Sequence, residues 1–246
     1  MWFKDVIKAV LYKPLFNILM LFAFLVPGHS MGWAIILLTI LVRIILWVPS
    51  VKSLQAPMKM RKHAPELKVI QERYKDDKQA QSQATMAFYK EQGINPFAGC
   101  LPMLIQLPII FVLYKVFIVG LGTMRNDLLY SFTPHLETIN SLLFGLDLSK
   151  PDRIFLPIIT AALQFFQSRQ AMQMNPPASG NDPASMMTKQ MIYLFPAMTF
   201  FFALSLPAGV ALYWSTTTVF SIFQQYWVMK TFKDNQSKVE VIVRKK

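Results

Sequence analysis

Met31–Pro49 reads MGWAIILLTILVRIILWVP, 19 residues in which Arg43 is the single charge. As an α-helix this stretch would rise about 28 Å, close to the roughly 30 Å of a bilayer's hydrocarbon core. It reads as a membrane span, and its arginine poses the first functional question. A charge at the centre of such a helix costs about 2.5–3.5 kcal/mol even on gentle insertion scales. Arg43 lies six residues before Pro49, so one reading has its long side chain snorkel to the nearer interface. The other gives it a hydrated cavity between helices. Thr39 and Trp47 lie four residues on either side and share its helical face. A hydroxyl, a guanidinium and an indole in a row suit a wet wall better than lipid.

The rest of the composition agrees with a membrane class. The chain has 246 residues, 54% hydrophobic and only 15% charged, against about 25% charged in soluble domains. The apolar residues are gathered into runs, which predicts an all-α polytopic membrane protein rather than one large soluble core. The net charge of +12 comes mostly from residues between or after those runs, where it reads as topology signal and contact with anionic lipid. One cysteine, Cys100, and three scattered histidines, His29, His63 and His135, argue against a disulfide, a zinc cluster or any metal site. No cofactor is expected.

Taken in order, residues 1–30 form an N-terminal piece whose first ten residues are amphipathic, with Phe3, Val6, Ile7 and Val10 opposite Lys4, Asp5 and Lys8. The apolar run after them, Leu15–Val26, is only 12 residues, short for a span. An interfacial helix is favoured, and an extra span is the alternative. Residues 31–49 are the first core span. Residues 50–95 hold nine Lys/Arg and five Asp/Glu. Leu67, Ile70 and Tyr74 make one narrow apolar seam, and Ala80, Ala84, Ala87 and Phe88 a second. KDDK at Lys75–Lys78 separates them, with Asp77 placed to cap a new helix. This predicts an antiparallel helical hairpin outside the bilayer, in preference to a solvated charged loop.

The second span is 94–119, followed by an external loop over 120–153. The third span is 154–172, and 173–189 is a cytoplasmic loop with NPP and SGNDP turn chemistry. The fourth span is 190–205, 206–209 is an external turn, 210–229 is the fifth span, and 230–246 is a basic tail. The hairpin, the 173–189 loop and the tail carry 9, 1 and 6 basic residues, against 3 in Thr123–Arg153 and none in the short turn. The positive-inside rule puts the hairpin and the C-terminus in the cytoplasm.

No Asp or Glu falls in the five spans, which weighs against proton-coupled transport and intramembrane hydrolysis. The spans instead carry uncharged polar stripes. Thr160, Gln164 and Gln167/Ser168 share a face of the third. Trp214, Thr217/Thr218, Ser221 and Gln224/Gln225 share one of the fifth, and the second contributes Gln106. Each alone reads as an interhelical hydrogen bond worth about 0.6 kcal/mol. Together with Arg43 they point to a shared hydrated groove.

Two stretches carry a family resemblance. Asn95–Pro108, NPFAGCLPMLIQLP, followed by Tyr114, and Leu206–Gln225, LPAGVALYWSTTTVFSIFQQ, resemble signatures of the YidC/Oxa/Alb membrane-protein insertase family. The arginine in the first core span, the hairpin after it and the five-span order match as well. Tyr12–Trp33, with KPLFN near its start, resembles the outer interfacial helix that precedes the family's first core span. The resemblance covers almost the whole chain, as a core without the large periplasmic domain of Gram-negative members.

The resemblance implies a membrane-protein insertase and chaperone of the bacterial plasma (inner) membrane that performs no covalent chemistry. It implies a groove open to the cytoplasm and to lipid, with Arg43 as its charge. The wall candidates are Thr39, Gln106, Gln164, Gln167, Trp214, Thr217, Ser221 and Gln224. The expected partners are nascent membrane proteins and the lipid bilayer. A ribosome met through the tail and hairpin, and the Sec translocon, are further candidates, and no DNA is expected. Cys100 beside Gly99 reads as a small packing residue. The rival reading is a small channel or transporter lined by the same stripes.

Overall fold

The computed structural model describes residues 6, 8–95, 101–121, 126–136, 138–175 and 183–244. The expectations for Phe3, Lys4, Asp5 and Ile7, for Pro96–Cys100, and for the NPP and SGNDP turns at 176–182 lie outside them. Among the described residues the chain is helical almost throughout, and it forms two compact units. One comprises Met1–Leu46, Ile105–Phe165 and Leu194–Phe220. The other comprises Trp47–Leu104, Phe166–Tyr193 and Ser221–Lys246.

In the first unit, helix α1 (Lys13–Leu25) follows a π-helical turn over Lys8–Tyr12. Together they make 18 residues with a mean hydropathy of 1.5, six longer than the Leu15–Val26 run. The basic and aromatic residues at its start extend the helix beyond its apolar part. Phe16, Leu19, Met20 and Ala23 recur at helical spacing and are buried. The chain then turns through Gly28, whose φ of 67° suits a residue without Cβ.

Helix α2 (Met31–Ile45) buries Met31, Ala34, Ile35 and Leu38, yet its opposite face, with Trp33, Leu37 and Ile44, is also apolar and exposed. A helix apolar all round belongs in lipid or in a large core. It ends at Leu46 rather than running on to Pro49, and α3 (Trp47–Lys62) begins there. Pro49 has no N–H to offer the Ile45 carbonyl and its ring collides with that carbonyl, whereas in the first turn of a new helix it is tolerated. The expected continuous Thr39–Arg43–Trp47 face is therefore interrupted at Leu46. Met31–Ile45 and Trp47–Lys62 reach the length of a span only as a broken pair.

Helix α6 (Leu101–Leu121) supplies Val112, Leu113, Val116 and Phe117 to the same core, beside Ala208, Val210, Ala211 and Tyr213. The loop after it is tied down by Asn17, which is 3% exposed. Its Nδ2 donates to the carbonyls of Lys13 and Leu128, and its Oδ1 accepts from the Tyr130 N–H and the Thr133 hydroxyl. Further on, β1 (Leu142–Leu143) and β2 (Leu146–Asp147) form a two-residue hairpin. Asp147 accepts from the Ser149 hydroxyl and N–H, and that turn aims two carbonyls at the start of the last helix. Ala208 N donates to Lys150 O at 2.8 Å, and Gly209 N to Leu148 O at 3.0 Å. Two N–H groups that a helix start leaves unpaired are met this way.

Helix α7 (Phe155–Met174), helix α8 (Pro183–Ser205) and helix α9 (Ala208–Arg244) complete the chain. In the second unit α4 (Ala64–Arg73) and α5 (Lys78–Glu91) are joined by a short turn. Asp77 caps α5 by accepting from Gln79 N and Ala80 N at 3.0 and 2.9 Å. The packing seam is small: Leu67, Tyr89 and Ile94, with Met60 and Phe88 against them. Ala87, expected in the seam, is exposed, and Tyr89 takes the buried place. A ring reaches across an interhelical gap that a methyl leaves open. A second cluster joins Met58, Met174 and Val228.

Candidate functional site: polar pairs around helix α9

The polar candidates of the first unit converge on one stretch of α9, Tyr213–Phe220, which touches three other helices. Tyr213 is buried, and its hydroxyl accepts a hydrogen bond from Gln106 Nε2 of α6. The next residue, Trp214, donates from Nε1 to Gln164 Oε1 of α7 at 3.1 Å. Ser215 meets the Thr160 hydroxyl at 2.7 Å. Thr160 has one hydroxyl proton and gives it to the Leu156 carbonyl at 2.6 Å, so Ser215 is the donor across the helices. One turn further on, the Thr217 carbonyl accepts from Arg43 Nη2 of α2 at 3.4 Å, and the Phe220 ring centroid lies 5.6 Å from the guanidinium carbon. That range permits a cation–π attraction. Consecutive residues on a helix diverge by about 100°, which is how Tyr213, Trp214 and Ser215 reach different neighbours.

The structure thus brings Arg43 to Thr217 and Gln164 to Trp214, and places Gln106 against Tyr213. Thr39 is 1% exposed, with its hydroxyl donated to the Ile35 carbonyl within its own helix. Gln167, Ser221 and Gln224 belong to the second unit. There Gln224 is buried with Nε2 3.5 Å from the Trp47 carbonyl, and the Trp47 and Trp227 rings stack at a tilt, 5.4 Å apart.

Tyr213, Ser215 and Asn17 were not singled out from the sequence. Asn17 was findable, being a lone amide in the apolar run LFNILM. Tyr213 lies one turn before Thr217 on the polar stripe. Among the described residues there is no group of three His, Cys, Asp or Glu that could hold a metal ion. The chemistry on offer is a cation and a set of neutral hydrogen-bonding groups among apolar helices.

Apolar helices with outward-facing Leu, Ile and Phe, and with the Arg43 cation and neutral polar pairs between them, define a helical membrane protein. The chain belongs to the 60Kd inner membrane protein family, whose family model matches residues 22–236. It is 38% identical over 212 residues to the membrane protein insertase YidC of Neisseria gonorrhoeae, covering 86% of this chain and 35% of that one. With the membrane protein insertase YidC of Streptomyces avermitilis it shares 35% identity over 236 residues, covering 87% and 55%. The fold is also similar to a crystal structure of an active YidC insertase with its first transmembrane domain resolved. There the TM-score is 0.57 at 26% identity, over 90% of this chain and 46% of that one. The chain spans about a third to a half of the length of these relatives.

Proposed function

We propose that this chain inserts nascent membrane proteins into the plasma membrane and helps them fold, with residues 50–95 and the C-terminus in the cytoplasm. The observation that carries the reading is Arg43 held against the Thr217 carbonyl and Phe220 ring, on a helix whose preceding turn bonds to Gln106 and Gln164. The barrier to insertion is the desolvation of polar flanks and backbone as they cross lipid. A hydrated groove walled by Arg43, Gln106, Gln164, Trp214 and Thr217 shortens the apolar path for those groups. The apolar part of the substrate then partitions sideways into lipid, which supplies the driving force.

An acidic residue in the translocated tail pauses at the Arg43 cation. The inside-negative potential favours its outward passage by about 2.3 kcal/mol per 100 mV for a full crossing. The core is the five spans read from the sequence, preceded by the Lys8–Leu25 helix. The helical hairpin meets the substrate or its carrier, the ribosome and the Sec translocon being the partners to test. The experiment is insertion into proteoliposomes of one substrate carrying either Asp or Asn in its short translocated tail. Arg43→Lys keeps much of the activity because a point cation still attracts a carboxylate. Arg43→Gln slows the Asp tail more than the Asn tail, and Arg43→Glu is worst for Asp. Equal effects on both tails would remove the charge-receptor role, and a solute flux through the empty protein would favour a channel.

A further inference from the structure

The hairpin of β1 and β2 contains an arrangement that packing within the protein does not account for. Its turn residues, Phe144 and Gly145, both have positive φ, 51° and 82°, between the paired Leu143 and Leu146. Such a two-residue turn favours Asn-Gly, since only Gly, Asn and Asp enter the left-handed region readily. Here the first position is held by a phenylalanine that is 84% exposed. The chain accepts an unfavourable backbone geometry in order to hold an apolar ring outward. Leu142 on the same strand is 54% exposed, whereas its neighbour Leu143 is 7% exposed and faces the core.

The turn cannot swing away to bury that ring. Met31 N donates to Asn140 O at 2.9 Å, and Asn140 N donates to His29 O at 3.1 Å. Leu143 sits so close to Gly32 that no Cβ fits between them. Phe144 also contacts the edge of Trp33, with ring centroids 6.2 Å apart. Trp33 is the first member of the exposed apolar stripe Trp33, Leu37 and Ile44 on α2. In a membrane protein that stripe faces lipid, and its Trp33 end is where interfacial aromatic rings gather. Phe144 and Leu142 extend the lipid-facing stripe past the end of its helix.

From this geometry we infer that the Leu142–Phe144 edge of the hairpin is a lipid-contact wedge, seated at the headgroup–acyl boundary on the side of the membrane where α2 begins. The inference rests on the membrane-spanning reading of α2, and its test separates the two. Single cysteines at Leu142, Phe144, Ile44 and Thr138, in a Cys100→Ser background, are labelled with an environment-sensitive fluorophore. The whole protein is then reconstituted in phosphatidylcholine–phosphatidylglycerol vesicles. Ile44→Cys reports lipid on the helix, and Thr138→Cys reports water on an exposed loop residue.

The expected result is several-fold stronger quenching at 142 and 144 than at 138 by lipid carrying a shallow, 5-position spin label, together with weaker quenching by iodide. Leu142→Cys leaves the strained turn intact, so a folding defect of Phe144→Cys does not decide the outcome. Quenching at Ile44 with open iodide access at 142 and 144 would overturn the wedge and leave the helix in lipid. Shielding of 142 and 144 from both quenchers would mean a protein covers them, a second copy or a substrate, and would overturn it too. No lipid quenching at Ile44 would overturn both readings.

Discussion

Gly32 and Leu143 touch so closely that a Cβ at position 32 would lie 2.7 Å from Leu143 Cδ2 and 2.8 Å from its Cβ. The Leu143 Cβ is fixed to the hairpin backbone and cannot rotate aside. In a helix Gly→Ala normally stabilises by about 0.5–1 kcal/mol. Here the overlap reverses the sign, and Gly32→Ala should destabilise by about 1–3 kcal/mol. Thermal unfolding in detergent reads it, and unchanged or raised stability would mean that the hairpin yields.

Asn17 offers a second test. Asn17→Leu keeps the size roughly constant but leaves the Thr133 hydroxyl, the Tyr130 N–H and the Leu128 carbonyl without the partner each has now. A buried group orphaned this way costs about 1–3 kcal/mol, so the substitution should loosen residues 126–136 and expose them to protease. Thr133→Val removes one bond only and should be milder. Equal protease resistance in all three proteins would show that water replaces the amide.

Across the helices, Thr160 and Ser215 provide the cleanest isolated pair. A double-mutant cycle with Thr160→Val and Ser215→Ala should give a coupling of about 0.6 kcal/mol, and no more than about 1.7 kcal/mol. A coupling near zero would mean that each hydroxyl finds another carbonyl when its partner is gone.

Acid should act through Asp147. Hydrogen bonds from the Ser149 hydroxyl and N–H, then from Lys150 and Ser141, hold its carboxyl well below its ordinary value of 3.8. A group whose pKa is depressed in the fold contributes stability that is complete above the unfolded value and is lost as pH falls through the folded one. The turn should therefore hold evenly at pH 5–8 and loosen only below about pH 3.8. Asp147→Asn should be less protected than the parent at pH 7, and the two should converge on acidification. Amide exchange at Ala208 and Gly209, whose N–H groups the turn anchors, provides the readout. A pH-independent gap would place the effect elsewhere.

The small seam of Leu67, Tyr89 and Ile94 predicts easy opening of the two helices around it. Amides in Lys78–Glu91 should exchange well before those in Met31–Ile45, because few apolar contacts hold them. Equal protection in the two helices would make the hairpin a rigid part of the protein.

Much of this architecture is legible in one dimension, and the misses have physical causes. The cap at Asp77 follows from a local rule, since an Asn/Asp/Ser/Thr before a helix meets N–H groups two and three residues on. The break at Leu46 follows from another, the proline three residues later, and the apolar run conceals it. The stripe Trp214–Thr217 is visible as period, but its pairing with Gln164 and Arg43 depends on which helices become neighbours. No local pattern encodes that. Tyr89 replaced Ala87 in the seam because alternation identifies a face, not which side chain is long enough to close a gap. The convergence of three distant partners on Asn17 is least visible of all, since they lie more than a hundred residues downstream.

That distance orders the chain's own biogenesis. Asn17 leaves the ribosome long before its partners, and Thr133 follows 116 residues later. At about 5–20 residues per second, synthesis of the intervening stretch takes roughly 6–23 s. Throughout that interval the amide has only its own-helix bond to the Lys13 carbonyl, and an apolar helix with an unsatisfied amide is poorly suited to bury it in hydrocarbon. Helix α1 must wait near water until the 126–133 segment arrives, so it docks only after more than a hundred residues downstream of it have been made.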